Sequence, residues 1–104
     1  MQDEDFVFQP IEDELDLHTF RPGEVRQLVE DYLKECRRMG ILEVRVIHGK
    51  GTGQLRRGVH SLLERLPFVE EFYLAPPHMG GHGATIVKLV PPNKDGDLKG
   101  AQRP

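Results

Sequence analysis

The sequence predicts a small α/β domain, a two-layer sandwich in which two helices cover one face of a four-stranded sheet. The chain has 104 residues, the length of a single domain. Short strand-like segments are interleaved with two amphipathic segments of helical period, in the order β-α-β-α-β-β. Because a strand-helix-strand crossover is right-handed, both helices are expected on the same side of the sheet.

The first half of the predicted domain contains a strand, a helix and a second strand. Residues 14–18 alternate polar and apolar side chains with the period of a strand. Pro22 opens a helix whose apolar residues recur at helical spacing over residues 25–36, and Gly40 follows as a C-cap. Residues 42–47 form a β-branched run, which predicts a buried and parallel strand.

The second half adds a helix and two strands. A glycine-rich turn over residues 48–53 leads into an amphipathic helix that Pro67 ends. Residues 69–75 and 84–89 predict two further strands. The face of the sheet without helices is expected to carry Asp16, His18, Arg45 and Lys88. The residues expected to be buried together between sheet and helices are Leu28, Leu33, Val44, Val46, Leu62 and Val87.

Charge divides the chain into an acidic leader over residues 1–11, the domain over residues 12–90 and a polar, Pro- and Gly-containing tail over residues 91–104. Residues 1–16 hold seven acidic residues and no basic one, so the leader is expected to be flexible. The 17 acidic residues less these seven leave ten, against all 14 basic residues. The mildly basic body permits nucleic acid as a partner, although an ordinary mixed surface explains the charge equally well.

Several classes of protein are excluded by composition. No apolar run reaches the roughly 18 residues of a membrane helix, and the N-terminus lacks the basic region of a signal peptide. The single cysteine, Cys36, cannot form an internal disulfide and suits a reducing compartment. We therefore expect a cytoplasmic protein without a membrane partner. His78 and His82 have no third ligand at suitable spacing, so no metal site is expected.

Asp16 and His18 are the candidate catalytic pair. They lie two residues apart on a strand, so their side chains project from the same face. An imidazole beside a carboxylate is a general acid–base pair at neutral pH, because the carboxylate orients the ring and favours its protonated form. The same spacing is common at solvated strand edges, so a structural role stays open.

The loop over residues 48–53 is the candidate anion-binding element. It consists of His48, Gly49, Lys50, Gly51, Thr52 and Gly53. Alternate glycines between a strand and a helix let backbone N–H groups turn toward an anion, although a tight turn that needs positive φ is the alternative. Arg56 and Arg57 lie in the first helical turn, where cations oppose the macrodipole, and are expected to meet an anion. The loop departs from both the P-loop and the dinucleotide fingerprint.

A second glycine-rich loop precedes the last predicted strand. Its glycines permit a sharp entry into the strand or a close backbone approach, so a structural role is expected for them. They are Gly80, Gly81 and Gly83.

Three motifs of this sequence resemble, in order, those of the small MutS-related (Smr) domain. They are Leu-Asp-Leu-His at 15–18, His-Gly-Lys-Gly at 48–51 and Gly-Gly-His-Gly-Ala-Thr at 80–85. The resemblance, over about residues 14–90, implies a fold like the C-terminal domain of translation initiation factor three. It also implies a nucleic-acid role, since members of the family nick DNA, cleave RNA or bind without cutting. The catalytic residues proposed for the family fall on Asp16 and His18, and Thr19 replaces the glycine that usually follows.

Together these observations predict a nucleic-acid endonuclease in which His18, positioned by Asp16, cleaves a phosphodiester by acid–base chemistry. The 48–53 loop, Arg56, Arg57 and Lys88 are expected to hold the nucleic-acid backbone, and His48 to act as a second acid or base or to cap the loop. RNA is favoured over DNA, because a free-standing domain lacks a partner module for recognising a DNA structure. If RNA is the substrate, its 2′-hydroxyl is an internal nucleophile and no cofactor is required; a role for Mg²⁺ stays open. A binding module without catalysis and a protein-interaction domain are the alternatives.

Overall fold

The computed structural model describes residues 13–98 and has the predicted order of elements. The strands are β1 (Asp13–Asp16), β2 (Glu43–Ile47), β3 (Val69–Leu74) and β4 (Ala84–Leu89), and the helices are α1 (Pro22–Arg38) and α2 (Gln54–Arg65). Two 3-10 turns, Pro77–Met79 and Gly81–Gly83, connect β3 to β4, and a third, Pro92–Asp97, follows β4. The leader predicted for residues 1–11 lies outside the described residues.

The four strands form one mixed sheet in the order β1-β2-β4-β3. Strand β1 is parallel to β2, whereas β4 is antiparallel to both β2 and β3. Parallel strands have their carboxyl ends at the same edge, so the segments that follow β1 and β2 are neighbours. The N–H of Leu17 donates to the carbonyl of Ile47 at 2.9 Å and continues this pairing beyond β1.

The main core lies between the two helices and one face of the sheet, which confirms the two-layer α/β fold. Strands β2 and β4 contribute alternate residues to it, and each helix contributes one stripe. Strand β3 contributes Val69 and Phe72, on either side of a shift in its pairing with β4. Five of the six residues predicted to be buried there are buried: Leu33, Val44, Val46, Leu62 and Val87. Leu28 is only half-buried, because the buried stripe of α1 runs through Val25, Val29, Leu33 and Cys36 and leaves it on the flank.

The opposite face of the sheet is more covered than the sequence predicts. Ala75, Ala84 and Ile86 are buried there, with Ile47 and Met79 packed against them. The connection between β3 and β4 therefore folds over this end of the sheet.

Arg45 lies on the same face, as predicted, but its guanidinium group is hydrogen-bonded within the domain. Its Nη1 donates to the carbonyl of Met79 and its Nη2 to Oε1 of Glu14, both at 2.9 Å. The expectation of a polar, open face is therefore wrong at Arg45, because the connecting loop supplies a backbone acceptor for its guanidinium group.

Helix α1 begins and ends as its sequence predicts. Pro22 is its first residue, and the N–H of Arg21 donates to Oε1 of Glu24 at 3.1 Å. Gly40 follows the helix with a φ of 83°, the left-handed conformation that favours glycine. The carboxylate of Glu24 in the first turn and two arginines in the last complement the helix macrodipole.

The described part of the tail is attached to the domain. Nε of Arg37 donates to the carbonyl of Val90 at 2.6 Å, and its Nη2 donates to that of Pro91 at 3.3 Å. Leu98, half-buried, packs against the main core. Besides its polar residues, the described part of the tail therefore adds the apolar side chain of Leu98 to the edge of the main core.

Replacing Leu33 by alanine tests the assignment of the buried helix face. Leu33 is fully buried, so Leu33→Ala is expected to lower the free energy of unfolding by about 2–5 kcal/mol, measured by urea denaturation. Leu28→Ala, on the half-buried flank of the same helix, is the matched control and is expected to cost less. A loss below about 1 kcal/mol for Leu33→Ala would contradict the packing.

Candidate functional site

The side chains of Asp16 and His18 are in direct contact, as predicted. The prediction that both lie on a strand is wrong for His18, because β1 ends at Asp16 and the carboxylate of Asp16 binds the backbone N–H of His18 in the turn that follows. Nδ1 of His18 lies 2.7 Å from Oδ1 of Asp16, and the same oxygen accepts the backbone N–H of His18 at 3.0 Å. These hydrogen bonds, the backbone one first, lower the pKa of Asp16. The carboxylate is therefore ionised at neutral pH and fixes one ring nitrogen of His18, while the ring itself is 70% exposed.

The loop over residues 48–53 depends on its three glycines. Gly49, Gly51 and Gly53 have φ values of 80°, 27° and 86°, all in the range that favours glycine. The turn itself therefore accounts for all three glycines, whether or not an anion binds.

Gly53 has a second role, because it makes room for two arginines. A Cβ at Gly53 would lie 3.0 Å from Nη2 of Arg56 and 3.2 Å from Nη1 of Arg57. Both guanidinium groups thus fold back toward the start of α2, whose first turn contains no acidic residue. The positive end of the helix and two cations converge at this point.

The second glycine loop braces the first. The carbonyl of Gly83 accepts the N–H of His48 at 3.0 Å and the N–H of Gly49 at 2.8 Å. A Cβ at Gly83 would lie 3.5 Å from Cγ of Lys50, so the two loops pack closely there. Gly80 has a φ of 112°, and a Cβ there would lie 2.9 Å from Cβ of Ala84. These contacts support the structural role predicted for the second loop.

A chain of three buried or half-buried polar side chains lies beneath the first loop. Oγ1 of Thr85 lies 2.8 Å from Nε2 of His48 and 2.7 Å from Nε2 of His60. The ring of His60 also packs on Phe72 of β3, with centroids 5.0 Å apart. Helix α2, strand β4 and the loop after β2 are thus joined through one hydroxyl group.

The direction of these hydrogen bonds follows from their acceptors. Nδ1 of His48 lies 3.0 Å from the carbonyl of Gly49, which can only accept, so Nδ1 carries the hydrogen. Burial lowers the pKa of both His48 and His60, and both rings are neutral. Nε2 of His48 then accepts from Thr85, whose oxygen accepts in turn from Nε2–H of His60.

These bonds bear on the two roles predicted for His48. Both of its ring nitrogens are hydrogen-bonded and the residue is 6% exposed, so its surroundings favour the loop-capping role over that of a second acid or base. Thr85 ends the third sequence motif, whereas His60 lies outside all three. No local pattern indicates His60, because its contact with Thr85 joins residues 25 positions apart.

A cavity of about 710 Å³ lies between the start of α1, the 48–53 loop and α2. It is lined by residues 48–53 and by Arg56, so it brings together most of the predicted anion-binding residues. Phe20 and Arg26 form the wall on the side of α1. Asp16 and His18 do not line the cavity, although His18 precedes Phe20 by two residues.

Lys88 stands apart from the other predicted binding residues. It pairs across the sheet with Glu43, the first residue of β2, whereas His48 follows the last one. Its Nζ lies 3.6 Å from Oε2 of Glu71. Lys88 is therefore at the opposite end of the sheet from the 48–53 loop.

Within residues 13–98, no three histidine, cysteine, aspartate or glutamate side chains come close enough together to hold a metal ion. In the same part of the chain, no helix combines the length and the apolar character needed to cross a membrane.

Comparison with known proteins identifies relatives over most of the chain. A family model described as the Smr domain matches residues 15–90. The chain is 44% identical over 78 residues to Endonuclease MutS2 of Thermus thermophilus and 43% identical over 76 residues to Endonuclease MutS2 of Carboxydothermus hydrogenoformans. These matches cover 75% and 73% of this chain and 10% of each relative. The chain thus spans about a tenth of the length of these curated relatives.

Similar solved structures include two small MutS-related proteins. The crystal structure of the Smr domain of T. thermophilus MutS2 has a TM-score of 0.74 at 42% identity, covering 77% of this chain and all of that one. The stand-alone small MutS-related protein YdaL from Escherichia coli has a TM-score of 0.69 at 30% identity, covering 74% of this chain and 63% of that one.

Removal of the Thr85 hydroxyl tests the chain of buried side chains. Thr85→Val keeps the shape but leaves Nε2 of both histidines without a partner, so we expect a loss of about 1–3 kcal/mol in the free energy of unfolding. Thr19→Val, at an exposed position, is the control and is expected to change stability by less than ~0.5 kcal/mol. Equal stability of the two variants in urea denaturation would contradict the hydrogen-bonded chain.

Proposed function

Because the chain belongs to the Smr domain family, we propose that it cleaves phosphodiester bonds of nucleic acid by acid–base chemistry at His18. The observation that carries the proposal is the 2.7 Å contact between Nδ1 of His18 and Oδ1 of Asp16. It holds an exposed imidazole in one orientation, as a general acid–base residue requires. The relatives named endonucleases support the same chemistry, since the part they share with this chain is the Smr domain.

In the proposed reaction, His18 moves a proton through its exposed Nε2. On RNA, the 2′-hydroxyl oxygen attacks the adjacent phosphorus, and its proton passes to Nε2 of His18. The bond from phosphorus to the 5′-oxygen breaks, His18 gives the proton to that oxygen, and a 2′,3′-cyclic phosphate remains on the other product. Asp16 keeps Nδ1 of His18 protonated and stabilises the imidazolium that forms when Nε2 accepts a proton. We favour RNA as the substrate, because the attacking 2′-hydroxyl belongs to the RNA strand that is cleaved.

The binding surface in this proposal is the cavity beside the pair. Lys50 and Arg56 contribute positive charge at the start of α2, where the helix macrodipole also favours an anion. A phosphate held there would position the next phosphodiester for attack, and a cation near the phosphorus stabilises the charge that develops in the transition state.

A binding module without catalysis is the second candidate. It is favoured by the position of Asp16 and His18 outside the cavity. A single assay separates the candidates: labelled single-stranded RNA and duplex DNA are incubated with the protein, with and without EDTA, and the products are resolved on a denaturing gel. Cleavage supports the endonuclease, and its loss in EDTA would reveal a metal requirement. Salt-dependent binding without cleavage supports the module.

Substitution of His18 tests the chemistry. His18→Ala removes a group that acts mainly in the transition state, so the rate of cleavage is expected to fall by about 10²–10⁴-fold while affinity changes little. His78→Ala, at an exposed histidine of the β3–β4 connection, is the control and is expected to cleave normally. Full activity of His18→Ala would end the catalytic assignment.

Substitution of Lys50 tests binding separately from chemistry. Lys50→Ala removes one phosphate contact, so affinity should weaken for all sequences alike, and the slope of log affinity against log salt should become shallower by roughly 0.7–0.9. Lys34→Ala is the control, because Lys34 lies on α1 and pairs with Glu30 at 3.1 Å. An unchanged slope for Lys50→Ala would remove Lys50 from the interface.

A further inference from the structure

We propose that the cavity beside the 48–53 loop takes one unpaired nucleotide, with its base stacked on Phe20 and its phosphate near Lys50 and Arg56. This inference rests on the proposed function and specifies its substrate: a single strand, or a strand from which one base has been unstacked. It rests on the exposure of Phe20, the charge around the cavity and the cavity's size.

Phe20 is a large apolar side chain that the fold leaves in contact with water. It is 41% exposed and lines the cavity. Its N–H donates to the carbonyl of Leu17 at 3.0 Å, which fixes its backbone between His18 and the start of α1. An exposed aromatic ring held in place provides a stacking surface for a base, because every base has a π-face and stacking removes apolar area from water.

The charge around the cavity is of one sign. Arg26, Lys50, Arg56 and Arg65 line it, and none of its lining residues is acidic. Among the residues that the structure describes, Arg26, Lys50 and Arg56 form no ion pair, whereas other surface cations do. Those paired cations are Lys34 with Glu30, Arg38 with Glu35, Arg45 with Glu14 and Lys88 with Glu71. A concave site with unpaired cations is complementary to a phosphodiester backbone.

The size and the walls of the cavity indicate a single nucleotide. Its volume of about 710 Å³ lies in the range of small-molecule sites and is too small for a duplex. Val25, Val59 and Leu62 supply apolar walls beneath the cationic rim. In a duplex the faces of the bases are stacked on one another, so only an unpaired or extruded base presents a face to Phe20.

Binding of a short single-stranded oligothymidine, which lacks the 2′-hydroxyl, tests the proposal without cleavage through that group. Phe20→Ala is expected to weaken binding by about 5- to 150-fold, the fold-change that corresponds to the ~1–3 kcal/mol of one stacked base. Phe20→Tyr should restore binding. Tyr73→Ala is the matched control, because Tyr73 is also 41% exposed but does not line the cavity.

An abasic chain of the same length provides the second measurement and needs no variant. Wild-type protein should bind oligothymidine more tightly than the abasic chain, and Phe20→Ala should bind the two alike. Equal binding of the two probes by wild type, or equal losses in Phe20→Ala and Tyr73→Ala, would overturn the stacking site. Cleavage of labelled RNA by the wild type would still uphold the proposed function. Failure of the wild type to bind RNA, oligothymidine or duplex at low salt would overturn both the stacking site and the proposed function.

Competition with polyglutamate is the third measurement. If polyglutamate displaced labelled oligothymidine as effectively as unlabelled oligothymidine does, the cavity would recognise negative charge and not bases, and the stacking site would be overturned.

Discussion

One carbonyl group, that of Gly83, holds the candidate site together. It accepts two backbone hydrogen bonds from the first loop, and the same loop is fixed from below by the side chain of Thr85. Because buried polar groups are costly when unpaired, these contacts permit few alternative arrangements of the loop. The positions of Lys50 and of the start of α2 follow from this constraint. The two glycine-rich motifs are thus one structural unit, although 32 positions separate Lys50 from His82 in the sequence.

The features that the sequence predicts correctly are those set by local periodicity. The stripe of α1, the glycine after it and the contact of Asp16 with His18 all depend on residues close in the chain. The incorrect or missing features depend on the register of distant segments. Met79 packs over the face of the sheet without helices, and Lys88 lies at the end of the sheet away from the 48–53 loop. Both positions follow from the pairing of β4 with its neighbours. The contact of His60 with Thr85 likewise requires α2 to pack at one particular height on β4.

Two histidines of this protein have opposite surroundings, and these suit different tasks. His18 is exposed, and its Nδ1 is paired with a carboxylate that holds the ring in one orientation. His48 is buried, its pKa is lowered by burial, and both of its ring nitrogens are hydrogen-bonded. A group that moves protons needs access to the reacting atoms, whereas a group that fixes a loop needs a constant charge. The proposed division of labour between the two follows from their burial.

The first turns of the two helices carry opposite charges. Helix α1 has Glu24 in its first turn and arginines in its last, the arrangement that the macrodipole favours. Helix α2 has no acid in its first turn and instead places Arg56 and Arg57 there, above a glycine whose φ is positive. Each such cation costs up to about 1 kcal/mol at a helix N-terminus when no anion is present. In the proposed complex a phosphate at this position reverses the sign of this interaction and offsets the cost that these cations impose on the free domain. The first turn of α2 is therefore suited to an anion that the domain's own first turn does not supply.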